Sequence, residues 1–182
     1  MTILSISDLK LLMDVSFHKR DETITSAIEA VEDAYVKKYF KNSVFVYILQ
    51  NTNVSPTNSF VDLILDGGIY EDAESPSNSY HFNGLNKAIA LLAYCDLLIN
   101  QTVVTRFGAV NKNDNYSVKP EFSSILEQVS RYRKTALSYL YDIDFMLRNI
   151  DYTSESQEVQ DLLTAYRLTC VGKIEGILNE WI

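Results

Sequence analysis

The pattern of hydrophobic and polar positions centres on one apolar stretch, from Ala88 to Ile99, which contains a single charged residue, Asp96. A helix that is apolar on nearly every side has to be surrounded by other elements, so this stretch predicts the central helix of the core. Its twelve residues fall well short of the roughly 20 that a membrane span needs, and polar residues 100–102 end it. We therefore predict a buried helix and no membrane span.

The N-terminal part predicts amphipathic helices. Ser5 and Asp8 have the spacing of a capping box, which predicts a first helix of about two turns. Apolar residues at three- and four-residue steps then predict a second helix. The apolar face of the first helix is expected to be Leu9, Leu11, Leu12 and Met13, and that of the second Ile24, Ala27, Ile28, Val31, Tyr35 and Tyr39. The side chains expected to face solvent on the second helix are Glu29, Glu32, Asp33, Lys37 and Lys38.

The C-terminal part predicts a long helical hairpin over about 120–182. Apolar residues recur every three or four positions across almost thirty residues, which predicts a helix of roughly 45 Å. A second capping-box match, Ser154 to Gln157, predicts the start of the returning helix. The first seam consists of Phe122, Leu126, Val129, Ala136, Leu140, Ile143, Leu147 and Ile150, and the second of Val159, Leu163, Tyr166, Cys170, Ile177 and Trp181.

The segments between these helices are shorter. Residues Ser43–Gln50 suit either a strand or a short buried helix, and their position between helices favours the helix. Phe60–Leu65 predicts a helix that Gly67 and Gly68 stop. Residues 69–71 and 80–82 have the composition of paired strands and predict a small hairpin.

A polar arm over about 103–118 follows the central helix. Val103–Val110 is rich in β-formers, residues 111–115 are turn formers, and Tyr116–Val118 is expected to return as a second strand before Pro120 opens the next helix. Because an isolated two-stranded hairpin is marginal in water, we expect the arm to pack on another copy of the chain. The alternative is that Phe107 and Val110 fold back onto the parent helix.

Composition bounds the class of protein. The 182 residues fit one mainly α domain with a helical bundle and one or two short β-hairpin arms. The net charge of −8 disfavours tight binding to nucleic acid. Cys95 and Cys170 lie in apolar runs without a CxxC partner and are expected to be buried thiols in a reducing compartment. The N-terminus lacks the pattern of a signal peptide, so synthesis in a cytoplasm is expected.

Candidate catalytic groups are sparse. The two histidines, His18 and His81, have no metal-site spacing, and the sequence has no P-loop, GxGxxG or GxSxG motif. Asp142 and Asp144 are about 200° apart around a helix and cannot share a ligand on one face. Asp96 would resemble a general acid if it were buried without a partner, although a paired carboxylate is the more common case. We predict no catalytic, cofactor or metal site.

Several segments nonetheless resemble one protein family. They are ILSISDLK at 3–10, VKKYF at 36–40, GGIYE at 67–71, YHFNGL at 80–85 and TRFGAVNKND at 105–114. The first two resemble the head-to-tail connector, or adaptor, proteins of tailed phages. The later ones are most similar to the ring proteins beneath the portal of crAss-like phages, and the likeness runs to about Ile150.

The resemblance implies an all-helical connector protomer with extended arms, found in the virion neck. It implies a homo-oligomeric ring, twelve-fold like the portal, with portal and other connector or tail proteins as partners and DNA passing through the lumen. It also implies that the arm contacts a neighbouring subunit, and the residues we expect at that contact are Arg106, Phe107, Val110, Lys112 and Tyr116. A net acidic chain fits a tunnel that does not retain DNA, provided that its acids face inward.

Two other classes stay open from the sequence. One is a cytoplasmic helical interaction module, such as an assembly chaperone, whose arm grips a partner peptide. The other is an enzyme that uses Asp96 or His81, which the missing motifs disfavour.

Overall fold

Residues 2–13, 21–52, 58–74, 78–105, 108–111 and 122–170 are described by the structure, a computed structural model. The fold is mainly α with short β-hairpins, as the sequence predicts. The helices are α1 (Ile6–Met13), α2 (Asp21–Val31), α3 (Lys37–Tyr39), α4 (Lys41–Asn51), α5 (Ser59–Asp66), α6 (Leu85–Gln101), α7 (Phe122–Asn149) and α8 (Gln157–Cys170), with a π-helical turn at Glu32–Val36 between α2 and α3. The strands are β1 (Gly67–Glu71), β2 (Ser79–Asn83), β3 (Thr102–Thr105) and β4 (Gly108–Asn111).

Helix α6 is the centre of the core, which confirms the prediction for the apolar stretch. It packs against α1, α2, α5 and α7. Its side chains are buried on several sides rather than along one stripe, because neighbours cover most of its circumference. The buried positions are Leu85, Ala88, Ile89, Ala90, Leu92, Ala93, Cys95 and Leu97. Burial raises the pKa of the Cys95 thiol to about 11, so this cysteine is an unreactive core residue.

The capping box of α1 is confirmed, whereas its predicted apolar face is wrong in part. The Asp8 backbone N–H donates to Ser5 Oγ at 3.1 Å, and the Ser5 hydroxyl donates to Asp8 Oδ2 at 2.5 Å. Leu9 is fully buried, but Leu11 is 84 % exposed and Leu12 41 %. Leu11 lies about 200° around the helix from Leu9, so it points away from the core.

The π-helical turn changes which residues of the second helix face the core. Val31 and the three preceding predicted face residues of α2 are buried. The i→i+5 pattern then adds a residue to the turn, so that Val36 is buried and Tyr35 is half-buried. Glu32, predicted to face solvent, is only 4 % exposed because the N-terminal segment lies across it. That assignment is therefore wrong.

Residues Ser43–Gln50 form a helix, as favoured above, within α4. The chain turns a corner between α3 and α4, where Lys41 has a φ of 63°. Helix α4 then directs Val44, Phe45, Tyr47 and Ile48 into the core. Packing of these β-branched and aromatic side chains therefore outweighs their β-propensity.

The β1–β2 hairpin is also confirmed. Asn58 caps α5 by accepting bonds from the N–H groups of Phe60 and Val61. Gly67, with a φ of 79°, ends α5 and opens β1. The two strands are antiparallel, with Gly67 opposite Asn83 and Glu71 opposite Ser79.

This hairpin is fixed to the C-terminal half of α7. The N–H of Ala73 donates to the Asn149 carbonyl at 2.8 Å. The rings of Tyr80 and Phe145 meet edge to face, with centroids 6.1 Å apart. These contacts pack the β1–β2 hairpin against the helical body of the protein.

Helix α7 has 28 residues, which makes it about 42 Å long and close to the predicted length. Most of its predicted seam is buried: Val129, Ala136, Leu140, Ile143, Leu147 and Ile150. Leu126 is an exception at 45 % exposed, and the side chain of Phe122 lies outside the description.

Helix α8 returns along the C-terminal part of α7. It starts two residues later than the predicted cap, because Ser156 rather than Ser154 accepts the bond from the Val159 N–H, at 3.4 Å. Of its predicted seam, Val159, Leu163 and Tyr166 are buried, while Ile177, Trp181 and the side chain of Cys170 lie outside the described residues.

The arm differs from its prediction in where the chain reverses. Strand β3 pairs with β4, and Thr105 lies opposite Gly108, so the reversal falls inside the stretch expected to be one strand. Closing a connection this short costs little conformational entropy, and this advantage outweighs the turn propensity of residues 111–115. The predicted strand Tyr116–Val118 and the role of Pro120 lie outside the described residues.

We expect Gly84→Ala to destabilise the protein strongly. A Cβ atom at Gly84 would collide with backbone atoms of Leu65, Asp66 and Gly67, which cannot move independently of α5. The expected loss is at least about 2 kcal/mol of unfolding free energy, measured by chemical denaturation. Gly68→Ala is the comparison: its φ of 156° strains an alanine as well, but its Cβ atom would meet only the flexible end of Leu63, so its loss should be clearly smaller. Equal losses would contradict this account.

Candidate subunit interface

The β3–β4 hairpin grows directly from the C-terminal end of α6. Thr102 follows Gln101 without a gap, and the last core residue of α6, Leu97, is only 1 % exposed. The hairpin is therefore anchored in the core through its parent helix. Of the five predicted contact residues, Val110 lies in β4 opposite Val103, and its side chain is outside the description. Arg106, Phe107, Lys112 and Tyr116 lie outside the described residues.

An apolar groove lies beside the base of this hairpin, between α6 and the N-terminal half of α7. We call it the α6–α7 groove, and its volume is about 230 Å³. Ile99 and Leu126 reach its surface, where they are 37 % and 45 % exposed. Arg133 and Lys134 also line it, and both are exposed. The sequence predicted Leu126 as a core residue, and that prediction is wrong, because among the described residues the side chain is 45 % exposed.

A second surface lies at the other end of α6. Leu11 and Leu12 line a shallow depression of about 150 Å³ together with Asp8 and Asp66. We call these four residues the leucine knob. Both carboxylates are exposed, and each is held in place by a neighbour: Asp8 accepts from Ser5, and Asp66 accepts from the Asn86 amide at 3.1 Å.

The candidate general acid of the sequence, Asp96, is only half-buried. Glu32, which the sequence predicted to face solvent, is instead a buried carboxyl with a raised pKa, as a general acid would be. Its Oε1 accepts from the backbone N–H groups of Ile3 at 2.8 Å and Leu4 at 3.3 Å. Burial raises the pKa of Glu32 to about 7, against the opposing effect of these two donors. Because Oε1 accepts both of these bonds, Glu32 holds residues 3 and 4 of the N-terminal segment against the second helix.

Asp144 is the second buried carboxylate. Arg148 contacts both of its oxygens, with an Nη2–Oδ2 distance of 2.9 Å, and the Tyr166 hydroxyl donates to Oδ1 at 2.5 Å. One residue further along α8, Arg167 donates to the carbonyls of Leu147 and Ile150 at the end of α7. These bonds attach α8 to α7. The sequence missed them because the partners are some twenty residues apart.

His81 is exposed on β2, and His18 lies outside the described residues. In the part of the chain that the structure describes, no three His, Cys, Asp or Glu side chains converge on a possible metal site. None of the helices described here combines the length and the apolarity that a bilayer span requires.

These features define a mainly α protein with a buried central helix and an exposed apolar surface near each end of it. The chain belongs to DUF6712, a family of unknown function, whose model matches residues 49–161, more than half of the sequence. The match extends from the end of α4 to the first turn of α8 and so includes the central helix, both hairpins and all of α7. No curated protein and no solved structure matches the chain.

We expect the stability of the protein to fall as pH rises from about 4.5 to about 7 through the Glu32 contribution. The folded state holds the proton up to pH 7, whereas the unfolded carboxyl releases it near 4.5, so the unfolded state binds fewer protons in this window. Glu32→Gln keeps an acceptor oxygen without the charge. It should remove this slope and raise the unfolding free energy at pH 8 by up to about 3 kcal/mol.

Denaturation curves at pH 5 and pH 8 measure the effect. Glu29→Gln is the matched control, because Glu29 lies one turn earlier and is exposed. A slope that persists in Glu32→Gln would show that another group causes it.

We expect Asp144→Asn to loosen α8. The substitution leaves the guanidinium of Arg148, whose side chain is 23 % exposed, without its anion. The expected loss is about 2–3 kcal/mol of unfolding free energy. Asp142→Asn, two residues away and half-buried, should change stability by less than about 0.5 kcal/mol. Amide exchange in α8 measures the local effect, and unchanged protection there would contradict it.

Proposed function

We propose that this protein is a structural ring protein of the head-to-tail connector of a tailed phage. In this proposal it assembles as a homo-oligomer, a dodecamer matching the portal, that joins the portal to the tail and lines the DNA passage in the virion neck. Its partners are the portal and the other connector or tail proteins. It works through shape and repeated contacts rather than through catalysis.

The observation that carries the proposal is the position of the β3–β4 hairpin. A hairpin that continues a largely buried helix is fixed at its root, so force applied to it is transmitted to the core. A connector subunit needs such an element, because each copy must engage neighbours while the ring bears the load of packaged DNA. The segment with the resemblance TRFGAVNKND includes β4 of this hairpin.

Charge supports the same proposal. The chain carries 24 acidic and 16 basic side chains, so its average surface repels the phosphate backbone. A protein that lets DNA pass without retaining it is expected to have this balance rather than a basic channel.

The proposal predicts that the protein binds its portal as a ring. Electron microscopy and native mass spectrometry of the two proteins together should find a ring with one copy per portal subunit. A protein that stays strictly monomeric and never engages the portal would overturn the proposal. Detection at ring stoichiometry in purified particles would exclude the alternative, a cytoplasmic interaction module or assembly chaperone.

A deletion of residues 107–116 tests the arm. It should abolish ring occupancy in particles while leaving the helical circular dichroism signal intact, because the deletion removes no residue of α6 or α7. Removal of residues 75–77, in the connection between β1 and β2, is the matched control and should leave assembly unchanged. Fully infectious particles from the 107–116 deletion would remove the arm from the proposal.

A further inference from the structure

The body of the protein exposes two apolar surfaces whose residues are entirely different. The leucine knob presents Leu11, the most exposed large hydrophobic side chain among the described residues, at 84 %. The α6–α7 groove presents Leu126 and Ile99 around a concave surface. The first surface therefore presents a highly exposed leucine beside a shallow depression, and the second is a recess lined with apolar side chains.

The net charge of the lining side chains differs in sign between these surfaces. Asp8 and Asp66 flank the knob, whereas Arg133 and Lys134 line the groove. The one cation in the knob depression, Lys87, donates to Asn83 Oδ1 at 3.1 Å. In a chain with a net charge of −8, adjacent exposed cations beside an apolar recess mark a surface suited to an apolar partner with acidic neighbours.

The positions of the surfaces decide what kind of contact they can make. Asn86 lines the knob depression and Ile99 lines the groove, and thirteen residues of α6 separate them by about 20 Å. A subunit can therefore use both surfaces at once, each with a different neighbour. Contacts between two different surfaces of one chain are head to tail, and they close into rings when the rotation permits.

We propose that the leucine knob of one subunit occupies the α6–α7 groove of the next subunit. Leu11 and Leu12 supply the buried apolar contact, and Asp8 and Asp66 face Arg133 and Lys134 of the neighbour. The occupant of the groove is thus a second copy of this chain. The inference rests on the proposed function for its ring geometry, but the contact itself is defined by the two surfaces.

Two complementary variants test this contact. Leu11→Asp with Leu12→Ser disables the knob, and Leu126→Asp disables the groove. The replaced side chains are all more than 40 % exposed, so folding should survive. At about 1 mM, where contacts of roughly 4 kcal/mol are half-formed, the unaltered protein should self-associate. Each variant alone should bind itself at least tenfold more weakly.

The mixture of the two variants gives the decisive result. The knob variant keeps an intact groove and the groove variant keeps an intact knob, so together they should form a one-to-one dimer that grows no further. Sedimentation velocity and native mass spectrometry of the mixture measure this. Leu168→Asp, at a 75 % exposed leucine on α8 that lines neither surface, should associate like the unaltered protein.

A charge exchange provides a second, independent measurement. Lys134→Glu should weaken self-association, and adding Asp66→Lys on the same chain should restore part of it by reversing the pair. Self-association that is absent in the unaltered protein at 1 mM, a mixture that forms no dimer, or knob and groove variants that assemble normally would each overturn the inference. Capture of another protein or of a segment of the same chain in the groove would overturn it as well.

These outcomes separate the inference from the proposed function. Rings that form on the portal with both variants would reject this contact and leave the connector proposal standing. Dimers from the mixture by a protein that never engages its portal would keep the contact and reject the connector.

Discussion

The enclosure of α6 is the constraint on which the rest of the structure depends. An apolar helix with one charge can be stable in water only if neighbours cover it, and α1, α2, α5 and α7 do so. Several neighbours are needed, because no single helix could bury more than one side of α6. The β3–β4 hairpin is anchored by the same packing, because β3 directly follows α6.

Buried polar groups then position the parts that hydrophobic contact alone would leave free to slide. Glu32 fastens residues 3 and 4 across the π-helical turn, and Asp144 joins Arg148 of its own helix to Tyr166 of α8. Apolar packing is non-directional, whereas a buried carboxylate tolerates few arrangements of its donors. The N-terminal segment and α8 thereby acquire defined positions on the bundle.

Together these features hold the exposed apolar surfaces of the described residues at fixed positions on the core. The buried carboxylates are committed to backbone or side-chain donors, and the exposed apolar side chains lie at the two ends of α6. The core fixes the distance between these two surfaces, because both are attached to α6. The match to the DUF6712 family model includes both hairpins and the central helix.

The sequence by itself determined the elements whose signals are local. The apolar run predicted α6, and the glycine pair predicted the end of α5. Ser5 and Asp8 predicted the start of α1. Only the tertiary structure decided what depends on distant segments. It buried Glu32 under residues 3 and 4, left Leu11 and Leu126 exposed, and reversed the arm between Thr105 and Gly108. The reason is physical: propensity and periodicity act over a few neighbouring residues, whereas burial depends on which remote part of the chain arrives to cover a side chain.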